Sequence, residues 1–444
     1  MKRIWIKIRI AVKTFTQRLF ITMNLYDENG LANHAAAGAY GFMLSMVPML
    51  LIIAFFILTA FKPAPQSVAA LLGSISFLEL VIDEQWLTGN FLTVTRPGIS
   101  GVISVLSILW AGRILALSMQ RGLKIIFKGA RKRSIIKDTF ITLSVELAVL
   151  LFVLMFVFGS QPAMFFYKEF DFLPKISAAS FWITNIGSYV YPILILWLIS
   201  FLAYRFTPVN PPRKISALQG ALFCALSYGC TSVLLGFILS QVNYNLLYGA
   251  LGNIIFMLVN VYFFFLFFFA GAQFAYVVDT FNVLLFTRFM QSRRKILENK
   301  RNGKSFGNAD LLSRLFFSTE GRIKRYLHKY KKGERIFAQG EAGNDIFFLL
   351  EGEVEIIICF PRDSDGNDES SVSVIKPCSF FGEIGYLLSE NRSATAIAKT
   401  DISALALPPA IFDEVLKIDT SLDRTLIENL SRRLVSTNEK LAGS

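Results

Sequence analysis

Phe380-Phe381-Gly382-Glu383-Ile384-Gly385-Tyr386-Leu387-Leu388-Ser389-Glu390-Asn391-Arg392-Ser393-Ala394-Thr395 concentrates more chemistry than any other stretch of this chain. It holds one carboxylate, Glu383, one guanidinium, Arg392, and a run of turn-type positions between and after them. A guanidinium presents a planar fork of donors that matches two oxygens of a phosphate, and a carboxylate is the natural acceptor for a ribose hydroxyl. Gly382 lets the backbone approach a bound group closely, while the small Ser393 and Ala394 leave their amides uncovered. Turn amides, and those at the start of a short helix, favour an anion. The stretch reads as a clamp for a small ribose phosphate. Its candidate ligand-binding residues are Phe381, Gly382, Glu383, Ile384, Arg392, Ser393 and Ala394.

Around this clamp the pattern is one of short β-type runs: Arg335-Ile336-Phe337, Ile346 to Leu350, Val354 to Ile358 and Ala404 to Leu407. Gly333, Gly340, Gly352 and Gly366 punctuate them as turns. The acidic stretch from Asp363 to Ser371 predicts an exposed hairpin loop, and a helical segment is expected from about 410 to 440. Residues 310–444 carry 17 Lys and Arg against 21 Asp and Glu. With no stripe of cations and aromatics there, nucleic acid is not an expected partner.

Upstream the chemistry changes. The 444-residue chain is 54% hydrophobic and only 17% charged, with 43 Phe, which points to several membrane spans rather than a soluble fold. Six are expected, at about 36–61, 99–122, 138–160, 178–204, 214–240 and 248–278. Residues 1–309 carry 28 Lys and Arg against 11 Asp and Glu. The positives cluster after span two (Lys124 to Lys137), between spans four and five (Arg205, Arg213, Lys214) and after span six (Arg288 to Arg301). The positive-inside rule then puts both termini in the cytoplasm, as an even number of spans requires. No cleavable signal peptide is expected. Residues 1–33 are basic, with Ile4, Ile8, Val12, Phe15, Leu19 and Met23 at helical spacing. They read either as an amphipathic helix on an anionic leaflet or as a flank that only sets topology.

Inside the spans, Arg113 and Glu146 are the ionisable residues, each expected within about 12–18 Å of the cytoplasmic face and paired across adjacent helices. Ala221, Ala225, Gly229, Ser232, Gly236 and Ser240 form a small-residue stripe suited to close helix packing. Asn253 and Asn260 share one face of span six, where they either line a cavity or bond between helices.

Two resemblances organise these readings. Residues from about 311 to 440 resemble a cyclic-nucleotide-binding domain of the type in catabolite activator protein, protein kinase A regulatory subunits and cyclic-nucleotide-gated channels. The resemblance is carried by Lys332 to Phe337, Gly340-Glu341, Phe347 to Val354, Phe381 to Gly385 and Arg392 to Ala396. It implies an α+β β-roll, jelly-roll-like, with flanking helices. It also implies that Glu383 holds the ribose hydroxyl and that Arg392 holds the phosphate with the amides of Ser393 and Ala394. The terminal helix, near Arg433 to Thr437, would cover the base. The regulatory ligand is then cAMP or cGMP, with a dinucleotide left open. Residues 34–279 resemble the YihY/BrkB family of bacterial inner-membrane proteins, once labelled ribonuclease BN. The carrying residues are His34 to Tyr40 with Ser45 and Pro48, Leu109-Trp110, Ala217 to Ala221, Tyr248 to Gly252 and Gly271-Ala272-Gln273. Gln273 stands where that family usually has an acid. The organisation expected is a basic segment 1–33, an all-α six-helix membrane domain 34–279, a basic linker 280–310 and the sensor 311–440.

Several functions are excluded or disfavoured by counting. With only His34 and His328, no histidine metal centre or His-based triad can be assembled, and the four cysteines show no zinc or disulfide spacing. A metal-dependent nuclease is therefore not expected, nor is any enzyme or metal cofactor. A gated ion channel is disfavoured because span four lacks spaced arginines and Gln241 to Leu247 is too short for a filter. No helix-turn-helix follows the terminal helix. The reading that remains is an inner-membrane transporter or lipid-handling protein regulated by a cyclic nucleotide, with a sensor acting through partner proteins as the alternative. Its partners are then the lipid bilayer and the nucleotide, with homo-oligomerisation open.

Overall fold

The computed structural model describes residues 2–44, 113, 117–127, 140, 187–241, 249–301, 323–360 and 368–418, with isolated helical positions at 426–428, 430, 431 and 435. The chain divides into two units: Arg18–Asp279, and Met1–Gln17 together with Thr280–Ser444.

The first unit is helical. Beyond the end of α1 (Lys2–Glu28) it contains α2 (Gly187–Phe206), α3 (Lys214–Gln241) and α4 (Gly249–Asp279). Residues 31–44 and 117–126 are helical too. Among the described residues, two stretches are long and apolar enough to cross a bilayer, Lys214–Ile238 and Met257–Asp279; Ile193–Phe206 is a shorter apolar helix. They fall on the expected spans four to six, whereas expected spans one to three lie largely outside the described residues.

The small residues expected to bring helices together do so at one end of α3. Gly220 and Gly271 meet backbone to backbone: a Cβ on Gly220 would collide with the Gly271 carbonyl, and one on Gly271 would stand 2.7 Å from Cys224 Cβ. Ala217, Ala221, Ala225, Ala272 and Ala275 are buried around this contact. The stripe does not extend the whole length of α3, because Gly236 is exposed with nothing within 4 Å. Elsewhere rings lie over glycines, Phe265 on Gly38 and Phe269 on Gly122.

Polar groups in this unit bond to one another. The Tyr204 hydroxyl donates to the Phe268 carbonyl at 2.6 Å, and the Trp197 indole N–H donates to the Leu218 carbonyl at 3.2 Å. Asp279, at the end of α4, accepts from the Arg213 N–H at 3.3 Å and the Ser216 hydroxyl at 3.1 Å. This carboxylate satisfies free donors at the start of α3, where the helix dipole also favours a negative charge.

The second unit holds a β-roll. Its strands are β1 (Leu327–Tyr330), β2 (Arg335–Phe337), β3 (Ile346–Glu351), β4 (Val354–Phe360), β5 (Asp368–Ile375), β6 (Phe380–Phe381), β7 (Thr395–Ala398) and β8 (Ile402–Leu407). They form two antiparallel sheets, ordered β1-β8-β3-β6 and β2-β7-β4-β5. Phe348 pairs with Leu405 in one and Ile356 with Ala396 in the other. Between the sheets lie Phe337, Phe347, Leu349, Val354, Phe381, Ala396 and Ala404. Large rings opposite alanines let two sheets close tightly. The β3–β4 turn depends on Gly352, whose φ is 84° and whose Cβ would strike the Asp401 carbonyl.

Helices complete the unit. α5 (Phe281–Arg301) starts two residues after Asp279 and packs against α7 (Pro409–Ile418). The short α6 (Glu383–Leu388) follows β6. Phe412 of α7 meets Phe380 edge-on at 5.4 Å, covering the outer side of the β3 sheet. Arg293 of α5 pairs with Glu351 of β3 at 3.2 Å.

Two expectations change here. The acidic stretch after Asp363 is not all loop, because Asp368 to Ser371 run within β5, with Glu369 opposite Cys359. As an edge strand β5 has one neighbour, so charged side chains cost it little. Helix is described only to Ile418 and at isolated positions beyond, so the proposed base-covering region near Arg433 to Thr437 falls almost wholly outside the described residues.

Candidate functional site

The candidate pocket is built where β6 turns into α6 and where the chain returns into β7. Phe381 ends β6 in register with Phe347, so its ring faces the core. Gly382 then adopts φ 77° and ψ 5° and caps the N-terminus of α6. A side chain there is doubly excluded, by that backbone and by Arg392 Nη1, which would lie 2.9 Å from its Cβ. Glu383, on the first turn of α6, is only 1% exposed, and Ile384 is half-buried.

Arg392 is 5% exposed. Its Nη1 donates to the Gly382 carbonyl at 2.6 Å and its Nη2 to the Asp345 carbonyl at 2.8 Å. Its guanidinium lies 4.4 Å from the centroid of Phe337, and three rings, Phe337, Phe347 and Phe381, stack beneath it with centroids 5.2 to 6.2 Å apart. The backbone locks the same residue in place: Gly340 N–H donates to the Arg392 carbonyl at 2.8 Å, and Arg392 N–H donates to the Glu341 carbonyl at 3.0 Å. Gly343 makes room for the fork, since a Cβ there would stand 3.2 Å from Nη2.

The electrostatics follow from this packing. Burial pushes the Arg392 pKa below its usual value, partly offset by Asp345, Glu341 and Glu383. Among the described residues no carboxylate oxygen comes within ion-pair distance of it, and its buried Nε makes no hydrogen bond. The amides of Ser393 and Ala394, one and two residues on, find no acceptor among the described residues either. A buried cation with an unspent donor, beside two unspent amides, is a site that gains from an anion: the group restores the charge balance and accepts the leftover N–H bonds. A cyclic phosphodiester fits that donor set, and Glu383 brings its carboxylate to the same turn.

Phe381, Gly382, Glu383, Ile384, Arg392, Ser393 and Ala394 thus lie on the stretch from β6 through α6 to the start of β7, and Arg392 reaches back to Gly382. The sequence reading missed what lies beneath and beside the arginine: the Phe337 and Phe347 rings as its platform, Gly343 as its wall and the Asp345 carbonyl as its acceptor. Phe337 and Phe347 had a signal, since both stand in short apolar runs that read as strands; a backbone carbonyl has none.

The membrane candidates are scattered. Arg113 is helical and exposed, and its expected partner Glu146 lies outside the described residues. Asn253 stands in α4 with its side chain outside them as well. Asn260 accepts from the Tyr228 hydroxyl at 3.0 Å, a bond between α3 and α4. Gln273 is fully buried; its Oε1 accepts from Asn29 Nδ2 at 3.2 Å, while its Nε2 makes no hydrogen bond.

Comparison with known proteins bears on both units. The family model described as virulence factor BrkB matches residues 22–287, more than half of the chain. The chain is a member of the virulence factor BrkB family. This BrkB-family membrane protein also carries a cyclic nucleotide-binding domain, whose model matches residues 327–419. Solved structures similar to that part include the catabolite activator protein of Thermus thermophilus, at 27% identity over 27% of this chain and 55% of the other, TM-score 0.23. A cAMP-bound protein described as PfPKA-R (141-441) matches at 29% identity over 20% of this chain and 30% of the other, TM-score 0.18. The c-di-GMP-responsive regulator CLP of Xanthomonas campestris matches at 20% identity over 26% of this chain and 57% of the other, TM-score 0.23. The chain therefore spans about half, a third and half of these three relatives' lengths.

Proposed function

We propose that this BrkB-family protein is a bacterial inner-membrane transporter or lipid-handling protein, not an enzyme, whose activity is set by a cyclic nucleotide at Arg392. The observation that carries the proposal is the buried guanidinium with its unspent Nε, beside the free amides of Ser393 and Ala394. In this reading the phosphate lies on Arg392 and those amides, and Glu383 accepts from the ribose hydroxyl. Six spans with both termini cytoplasmic, and a sensor over 311–440, complete the proposed organisation.

The route from sensor to membrane is short along the chain. α7 lies against β6 through Phe412 and Phe380, α5 packs on α7, and α5 begins two residues after α4 ends. A ligand shifts such a chain of contacts only through its different affinity for two arrangements of it.

Calorimetry on the full-length protein in detergent, with cAMP, cGMP and cyclic dinucleotides in turn, tests the site. One of them binds the native protein, and Arg392→Ala weakens that binding by about 30-fold or more, as loss of a buried charged hydrogen-bond partner does. Absence of binding to all of them overturns the assignment. Flux of solute or lipid in reconstituted vesicles, with and without the nucleotide that binds, tests regulation separately; an unchanged rate leaves a sensor that does not act on the membrane part.

A further inference from the structure

We infer that α1 lies along an anionic lipid surface, with one apolar face set into the bilayer boundary and its cations against the headgroups. At 27 residues α1 is long enough to span a membrane, yet it is not among the stretches apolar enough to do so. It carries Lys2, Arg3, Lys7, Arg9, Lys13 and Arg18, and its first carboxylate is Asp27. Such a helix belongs on a membrane surface rather than through it.

The structure leaves the apolar side of this helix uncovered. Trp5, Ile8, Val12, Phe15 and Met23 recur at helical spacing within an arc of roughly 80°. They are exposed by 72, 51, 60, 50 and 63%. Ile10, on the opposite side, is exposed too, and burial on that side begins only at Gln17 and Ile21. Over residues 5–16 no described side chain is buried, so the apolar stripe there is left uncovered together with the cations around it. Arg9 and Lys13 flank the stripe on one side, and Lys7 on the other, by helical position.

One hydroxyl agrees with an apolar neighbour. Thr16 adjoins the stripe and spends its hydroxyl on its own helix, donating to the Val12 carbonyl at 3.0 Å. A hydroxyl bonded within its own helix costs less in lipid than an unbonded one. A second copy of the chain is a poorer occupant, because stripe-to-stripe packing would bring two sets of six cations together. A polyanion such as nucleic acid would leave the exposed Trp, Ile, Val and Phe unexplained.

The test uses the full-length protein, one copy per lipid nanodisc. Discs are made from phosphatidylcholine alone or mixed with anionic phosphatidylglycerol, with bromine on the acyl chains as a quencher of indole emission. The Trp5 signal is the native emission minus that of Trp5→Phe. It is expected to be quenched in anionic discs and much less so in zwitterionic ones. In the Trp5→Phe background, Val12→Trp should behave as Trp5 does, while Ile10→Trp, exposed but off the stripe, should stay unquenched. Replacing Arg9 and Lys13 with Gln should lower the ratio of bound to free helix by about fivefold for each charge. An unquenched Trp5 in single-copy anionic discs overturns the inference and leaves a second copy as the occupant. Equal quenching at positions 10 and 12, or quenching indifferent to anionic lipid, overturns it too.

Discussion

Where α2, α3 and α4 meet, polar groups are mostly spent on one another, although Gln273 Nε2 in the same unit is left without a hydrogen bond. The clamp in the roll instead keeps a charged donor in reserve. Around α3 and α4, Tyr204 is spent on a carbonyl, Tyr228 on Asn260 and Asp279 on the start of α3. In the roll, Arg392 keeps one buried donor unspent and stands beside two idle amides. The first pattern serves cohesion, since a membrane helix gains little from apolar contact with other helices and must rely on close packing and internal hydrogen bonds. The second pattern costs stability in the free protein and makes sense as a standing preference for an anion. Even their glycines differ: Gly271 is small so that two backbones can touch, and Gly382 is small so that a guanidinium can lie on a left-handed turn.

That contrast can be broken most severely at Gly271. Gly271→Leu places a side chain where Cys224, the Gly220 carbonyl and the Tyr204 hydroxyl already stand 2.7 Å away. With backbone on one side there is nothing flexible to yield, so the cost should be at least about 3 kcal/mol, at the upper end for overpacked sites. Thermal unfolding in detergent measures it; a melting temperature equal to the native one would mean that the two helices are not in contact.

Arg392→Met comes next and should act on the other side of the contrast. Exchanging a buried charge for an apolar chain of similar reach is often close to neutral in stability. The unliganded melting temperature should barely move, while affinity for the nucleotide falls about 100-fold, equivalent to roughly 2.7 kcal/mol. Loss of stability without loss of affinity would make Arg392 a structural residue and erase the distinction between the two regions.

A smaller effect is expected at Asn260→Ala, which removes the acceptor of the Tyr228 hydroxyl. Hydrogen bonds between membrane helices average about 0.6 kcal/mol, so only a modest drop in melting temperature should follow. A large loss of transport or lipid-handling rate with little loss of stability would instead show that Asn260 lines a cavity.

How far the sequence foretold these two regions depends on where the information resides. Gly352 and Gly382 were legible because a left-handed backbone selects the residue type itself. Arg392 and Glu383 stood out because the proposed recognition of phosphate and ribose demands those side chains. The Asp345 carbonyl was not, since every residue carries one and only the fold aims it. Gly220 and Gly271 each stood out as small residues, but nothing local says that they meet each other, because that contact joins positions distant in sequence. The strand over Asp368 to Ser371 was hidden because edge position, a property of the whole sheet, is what excuses its charges. Apolar runs marked α3 and α4 closely, since length and hydropathy alone select a membrane helix.

The finest probe of the roll is a bond between the clamp and its covering helix. Tyr386, on α6, donates to Asp413 of α7 at 2.8 Å. That hydrogen bond, with a smaller contribution from burial, raises the Tyr386 pKa above its ordinary value of 10.0. The neutral phenol is thus favoured by the folded state. Its contribution is fully present below the pKa of the unfolded chain and disappears as pH rises through the higher folded value. Native protein should therefore lose stability above about pH 10 more steeply than Tyr386→Phe, whose curve lacks this contribution. Because the pair lies near the surface, the difference should be small. Parallel curves for the two proteins over that range would mean that the bond does not hold α6 to α7, and that the clamp meets α7 through the ring contacts of Phe412 with Phe380 and with residue 386.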